Sequence, residues 1–138
     1  MFLDSDVLID FYADRDEFSS FARRIFEHAE LNSRNVRLIT TPVAISNVHY
    51  LLKKYLEKEL LLRCFNHLIS HVQIIPMSGE IVQEAFDIGW NDFEDAMQHQ
   101  ACVHYRKDIM IITRNAKDYK KSLLKVMTPK TFVRDYLK

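Results

Sequence analysis

Phe2-Leu3-Asp4-Ser5-Asp6-Val7-Leu8-Ile9-Asp10 reads as a first strand in which carboxylates interrupt an apolar run. A carboxylate taken out of water costs several kcal/mol unless it is paired, protonated or bound to a cation. Asp4 is therefore the residue of this stretch least easily explained as structural. The strand itself is expected near Phe2 to Leu3. Asp6 is expected to bond backbone N–H groups in the turn leaving it, and Asp10 to sit on the following helix or its approach.

Working outward, short apolar runs bounded by polar turns predict further strands near Val36 to Thr40, Val72 to Ile75, Ile109 to Ile112 and Lys125 to Met127. Between them the apolar period lengthens to that of a helix. Phe18, Phe21, Ile25 and Phe26 share one spacing; Val43, Ser46, Asn47, Tyr50 and Leu51 another; Leu61, Cys64, Phe65 and Leu68 a third. Ser78-Gly79-Glu80-Ile81 opens a helix that ends near Gly89, Asp92 to Tyr105 forms the next, and Thr128-Pro129 starts the last with an N-cap and a first-turn proline. Strand and helix alternate throughout, which predicts an α/β fold with a central parallel sheet of about five strands flanked by helices, one small domain over residues 1–138. Ligands of such sheets bind outside the carboxyl ends of the strands, so Asp4, Asp95 and Asp118, each just past a strand or opening a helix, are expected to share a pocket.

With 138 residues, 48% of them hydrophobic and 28% charged, the composition is that of a globular domain rather than a disordered or membrane-spanning chain. Runs such as Leu60-Leu61-Leu62 are far too short to cross a bilayer. Asp4 stands where the apolar core of a signal peptide would form, so a cytoplasmic location is expected. Cys64 and Cys102 lack Cys-x-x-Cys spacing and read as reduced, packed thiols. Two glycines leave no G-x-G-x-x-G fingerprint and no phosphate-binding loop. The formal net charge is zero, so no global basic field points to nucleic acid, and local clusters such as Arg23-Arg24, Lys53-Lys54 and Lys120-Lys121 read first as solvated helix faces and only second as phosphate tracks.

Three segments together carry a resemblance. Leu3-Asp4-Ser5-Asp6-Val7-Leu8-Ile9-Asp10, Asp92-Phe93-Glu94-Asp95-Ala96 and Ile111-Ile112-Thr113-Arg114-Asn115-Ala116-Lys117-Asp118-Tyr119 occur in the order and at the distances found in PIN-domain ribonucleases, and the chain resembles in particular the VapC-like toxins of toxin–antitoxin pairs. The resemblance implies a metal-dependent endoribonuclease that hydrolyses RNA phosphodiester bonds, with Mg²⁺ or Mn²⁺ as cofactor, a cognate antitoxin and a homodimer. It assigns Asp4, Asp95 and Asp118 to the metal, with Ser5, Asp92, Thr113, Arg114 and Asn115 in supporting places. Where the family usually carries a second acid, a Glu, this chain has Asn47. An amide oxygen coordinates a hard cation or orients a water without bringing charge, so Asn47 joins the catalytic set as a weak or water-orienting ligand.

Bland readings stand beside these roles. Asp92 and Asp95 have N-cap and N3 spacing, and for Asp92 the cap is the better reading. Glu94 is expected on a different helix face from Asp95, in solvent. Arg114 suits a phosphate or a carboxylate equally. His67 and His71 stand four apart but lack the Glu of H-E-x-x-H and any third ligand. A PIN scaffold weakened at Asn47, binding RNA or a protein without cutting, is the alternative function. A haloacid-dehalogenase-like phosphatase ranks below both, because Val7-Leu8 replaces the Gly-Thr of D-x-D-G-T.

Overall fold

The computed structural model describes residues 1–137. Five strands, β1 (Phe2–Leu3), β2 (Leu38–Thr40), β3 (Val72–Ile74), β4 (Met110–Ile112) and β5 (Lys125–Met127), form one parallel sheet in the order β3-β2-β1-β4-β5. Around them lie α1 (Ser5–Tyr12), α2 (Asp16–Leu31), α3 (Pro42–Leu52), α4 (Lys58–His71), α5 (Gly79–Asp87), α6 (Phe93–Tyr105) and α7 (Pro129–Tyr136), with a 3-10 turn over Ala116–Tyr119. Among the described residues no helix is long and apolar enough to cross a membrane.

The period of two along each strand divides the core between the faces of the sheet. Leu3, Leu38, Val72 and Ile112 point toward one face, where they meet Leu8, Ile25, Val48, Leu68 and Phe132 from α1, α2, α3, α4 and α7. Phe2, Ile39 and Ile111 point to the other, against Ile81 of α5, Ala101 and Cys102 of α6, and Tyr119. Near-continuous apolar strands are the consequence of covering both faces.

The local sequence explains where the helices start. Thr41 caps α3 by accepting the Ala44 N–H at 3.2 Å, with Pro42 in the first turn. Thr128 and Thr131 form a capping box on α7 ahead of Pro129. After α5, Gly89 takes the left-handed backbone (φ +66°) in which an L side chain is disfavoured.

Two expectations are corrected. The strand is Phe2–Leu3 and Asp10 is on the following helix, as expected, but the stretch from Ser5 to Asp10 that reads with the strand is helix: Asp4 N-caps α1 by accepting the Ser5 N–H at 2.7 Å, and Val7 to Asp10 are buried there. The buried face of α3 is Ala44, Val48 and Leu52, with Leu51 partly buried against the same core, rather than Val43, Ser46, Asn47 and Tyr50, and Tyr50 and Ser46 are exposed.

The chain runs outward from β1 through β2 to β3, then returns to place β4 on the other side of β1. Strand order therefore reverses between β1 and β4, and their carboxyl ends flank the crevice where open α/β sheets bind ligands. Ile112, fully buried beside that crevice, loses about 2–5 kcal/mol of stability on Ile112→Ala. Leu123→Ala, at a side chain 82% exposed, stays within about 0.5 kcal/mol of the parent in urea denaturation. Equal midpoints for the two variants would contradict this account of the core.

Candidate active site

Asp4 leaves β1 and Thr113 leaves β4, and the two meet: the Thr113 hydroxyl donates to Asp4 Oδ2 at 2.8 Å. Asp4 Oδ1 accepts the Ser5 N–H and, from α6, the Gln98 Nε2 at 3.3 Å. Gln98 lies one helical turn beyond Asp95, so the face that carries Asp95 carries Gln98 as well. Its other amide atom, Oε1, accepts the Thr41 hydroxyl at 3.3 Å, and Nε2 also approaches the Tyr119 hydroxyl at 3.5 Å. Tyr119 donates to Asp95 Oδ1 at 3.1 Å. Asp4, Asp95, Gln98 and Thr113 are all buried, and one hydrogen-bonded network joins them.

The donors named for Asp4 and Asp95 are all neutral: backbone N–H, hydroxyl and amide. Burial first, then the charges of Asp4 and Asp92, raise Asp95 to about 7; the Tyr119 hydrogen bond opposes this and Asp118 adds to it. Burial and the two carboxylates push the Tyr119 phenol upward, so it keeps its proton and donates. Such a pair of carboxylates, repelling each other without a counter-charge, suits a hard cation. Among the described residues no three His, Cys, Asp or Glu side chains converge as a metal cage. The oxygen donors of Asp4 and Asp95 are of the kind that Mg²⁺ or Mn²⁺ takes from one or two carboxylates, with water completing its shell.

The remaining expected residues are distributed around this pair. Asp92 is the N-cap of α6, accepting the Asp95 N–H at 3.0 Å. Asp118 stands exposed on the 3-10 turn and reaches Asp95 through its charge alone. The Asn115 N–H donates to Thr113 Oγ1 at 3.1 Å and so orients the hydroxyl that serves Asp4. Asn47, half-buried on α3, donates its Nδ2 to Glu94 Oε1 at 2.5 Å. Glu94 is thus half-buried and tied to α3 rather than free in solvent, which corrects the reading of that residue. Sequence reasoning assigned no role to Gln98 or Tyr119; the helical period from Asp95 identifies the first, but only the folded chain brings the second to Asp95.

Arg114 faces away from this pair. Its Nε lies 3.2 Å from Asp10 Oδ2, its backbone N–H donates to Asp6 Oδ2 at 3.0 Å, and its guanidinium covers the Phe18 ring at 4.5 Å. The carboxylate role, not the phosphate role, is the one the fold gives it. Asp6 does bond a backbone N–H, but from the turn after β4 rather than from its own turn. Burial, then Asp4, raises Asp6 to about 7, with the Arg114 N–H and guanidinium opposing and Asp10 adding. His67 and His71 stack at 4.0 Å, and His67 Nδ1 pairs with the Tyr12 hydroxyl at 2.8 Å.

A PIN-domain family profile matches residues 1–117. The chain belongs to the PIN-domain family. Solved structures agree on the fold of this PIN domain. VapBC2 of Rickettsia felis, bound to a DNA fragment of its promoter, matches with a TM-score of 0.68 at 14% identity over 92% of this chain and 96% of that one. A toxin–antitoxin complex of Klebsiella pneumoniae matches at 0.68 and 22% identity over 93% and 96%. VapC20 of Mycobacterium tuberculosis, a toxin that cleaves the sarcin–ricin loop, matches at 0.60 and 13% over 80% and 85%. No curated protein matches the sequence.

The raised carboxyls of this PIN domain link its stability to pH. Unfolded, Asp6 and Asp95 titrate near 3.9, whereas folded they hold protons to about 7. The native state binds more protons between these limits, so stability is full below the lower one and falls as pH rises through the upper one. Tm measured in EDTA is expected to drop from about pH 4 to about pH 8, and to drop less in Asp95→Asn, which has no charge to form there. A Tm that rises across the window refutes the assignment.

Proposed function

We propose that this PIN domain is a metal-dependent endoribonuclease and the toxin of a toxin–antitoxin pair. The observation that carries the reading is the buried carboxylate pair Asp4 and Asp95, at the reversal point of the sheet and answered there by neutral donors. Asp4 and Asp95 would hold Mg²⁺ or Mn²⁺, with Asp118 adding charge from the rim. Such a cation supplies charge neutralisation on a scissile phosphate and a water acidic enough to attack it. Gln98, Thr113 and Tyr119 hold both carboxylates in place.

Asn47 brings no charge, but the acid it grips does. In this reading Glu94 supplies from α6 the negative charge that relatives are expected to carry on α3, and Asn47 positions it. The hydrogen bond of 2.5 Å between them supports an active enzyme over a scaffold disabled at Asn47. The reading includes an antitoxin that covers the acidic crevice, and a homodimer, for which exposed Tyr50, Tyr55, Leu60 and Leu62 around the α3–α4 connection offer apolar surface. It also places the protein in the cytoplasm, with RNA as its substrate.

Purified protein with Mg²⁺ or Mn²⁺ is expected to yield discrete products from a pool of tRNA and rRNA, and none in EDTA. Asp4→Asn and Asp95→Asn each lose more activity than the about 10–100-fold usual for an outer-shell partner, and Glu94→Gln falls within that range. Cleavage that survives both aspartate substitutions assigns the activity elsewhere; RNA binding with no cleavage in any metal favours the scaffold.

A further inference from the structure

Between the segment joining α5 to α6 and the 3-10 turn lies a concavity of about 530 Å³, lined in part by Asp92, whose side chain accepts the Asp95 N–H. Lys117, Lys120 and Lys121 line it, together with Trp90 and Asn91, and all three lysines are exposed. Asp92 and Asp118 also line it, so three positive charges outweigh two negative ones in the cavity. In a chain of zero net charge this is a local basic field built by the fold. Lys117 is separated from the Lys120-Lys121 pair in sequence, and the 3-10 turn brings all three to one hollow.

The aromatic member is fixed before any ligand arrives. Trp90 is half-buried, with its ring 4.7 Å from that of His99 and edge-to-face with Tyr119 at 5.7 Å, and the uncovered part of the indole lines the cavity. His99 Nε2 also accepts the Leu123 N–H at 3.2 Å, which ties the segment after Lys121 to α6. Burial lowers the His99 pKa, so the ring remains a neutral acceptor. Tyr119 touches both places at once, donating to Asp95 while packing on Trp90.

We propose that this cavity is a subsite for single-stranded RNA, the lysines binding phosphates next to the scissile one and Trp90 stacking on a flanking base. The inference rests on the nuclease reading for its choice of ligand. Lysines answer the charge of the backbone without reading sequence, and a rigid aromatic surface offers a stacking face to any base. Paired bases hide those faces, so the subsite selects unpaired strand over duplex. Asn91 adds amide donor and acceptor groups at the same wall.

Trp90 is the only tryptophan of the chain, so its fluorescence reports on this cavity alone. The parent protein, in EDTA so that no strand is cut, is titrated with a short single-stranded RNA, the same sequence as a duplex, and poly-glutamate. Saturable quenching by the single strand, weakening with salt, is expected, with little response to the other two. The triple substitution Lys117→Ala, Lys120→Ala, Lys121→Ala removes up to three phosphate contacts and lowers the slope of log affinity against log salt by about 2. RNA bound without quenching, an unchanged slope in the triple variant, or equal quenching by poly-glutamate overturns the subsite. Metal-dependent cleavage with an unaltered KM in the triple variant also overturns it while leaving the nuclease reading intact. Selective quenching by single-stranded RNA in a protein that cuts nothing supports the subsite and removes the nuclease reading instead.

Discussion

The buried Asp4 carboxylate is the constraint on which the rest of the structure depends. Its two oxygens take donors from three separate parts of the chain: the Ser5 N–H at the start of α1, Gln98 on α6 and Thr113 after β4. Left without them in the interior, the carboxylate would cost several kcal/mol. Joining β4 to β1 in the sheet and docking α6 against it are therefore the same event as satisfying Asp4. The fold closes around this group, and in closing it places Asp95 on the same network.

Charge is sorted by position rather than by amount. The named donors to Asp4 and Asp95 are neutral dipoles, and the guanidinium of Arg114 lies against Asp10 and, farther off, Asp6. That diversion keeps the crevice negative. Three lysines gather at its rim, where solvent meets little desolvation cost, and the sole tryptophan stands between them and the core. A molecule with no net charge thus presents an acidic interior next to a basic margin, an arrangement suited to a cation and a polyanion together.

Much of this was legible in the residues. Alternation of short apolar runs with helical periods located all five strands to within a few positions and indicated a parallel sheet, because such strands need both faces covered. Asp92 read correctly as a cap, since capping depends on spacing within a few residues. The first strand reads at Phe2 to Leu3, but the run after it is ambiguous because Val7-Leu8-Ile9 suits a buried helix as well as a strand. Nothing local distinguishes the two until Asp4 is seen to cap α1. The inward face of α3 was misplaced for a similar reason: its apolar residues extend around the helix, and only the packing of Val48 and Leu52 decides which of them turn in.

The sequence by itself determined the order of elements, the parallel class of the sheet and the presence of isolated acids at strand ends, since each follows from periodicity and from the cost of burying charge. Which acids act together was decided by tertiary structure. Asp4 and Asp95 are joined through Gln98 and Tyr119, Glu94 turns to Asn47 across two helices, and Lys117, Lys120 and Lys121 share a hollow with Trp90. Apart from the three lysines, which one local turn gathers, such meetings depend on distances between residues far apart in the chain. No local propensity encodes them, and they exist only when the hydrophobic faces on both sides of the sheet have packed.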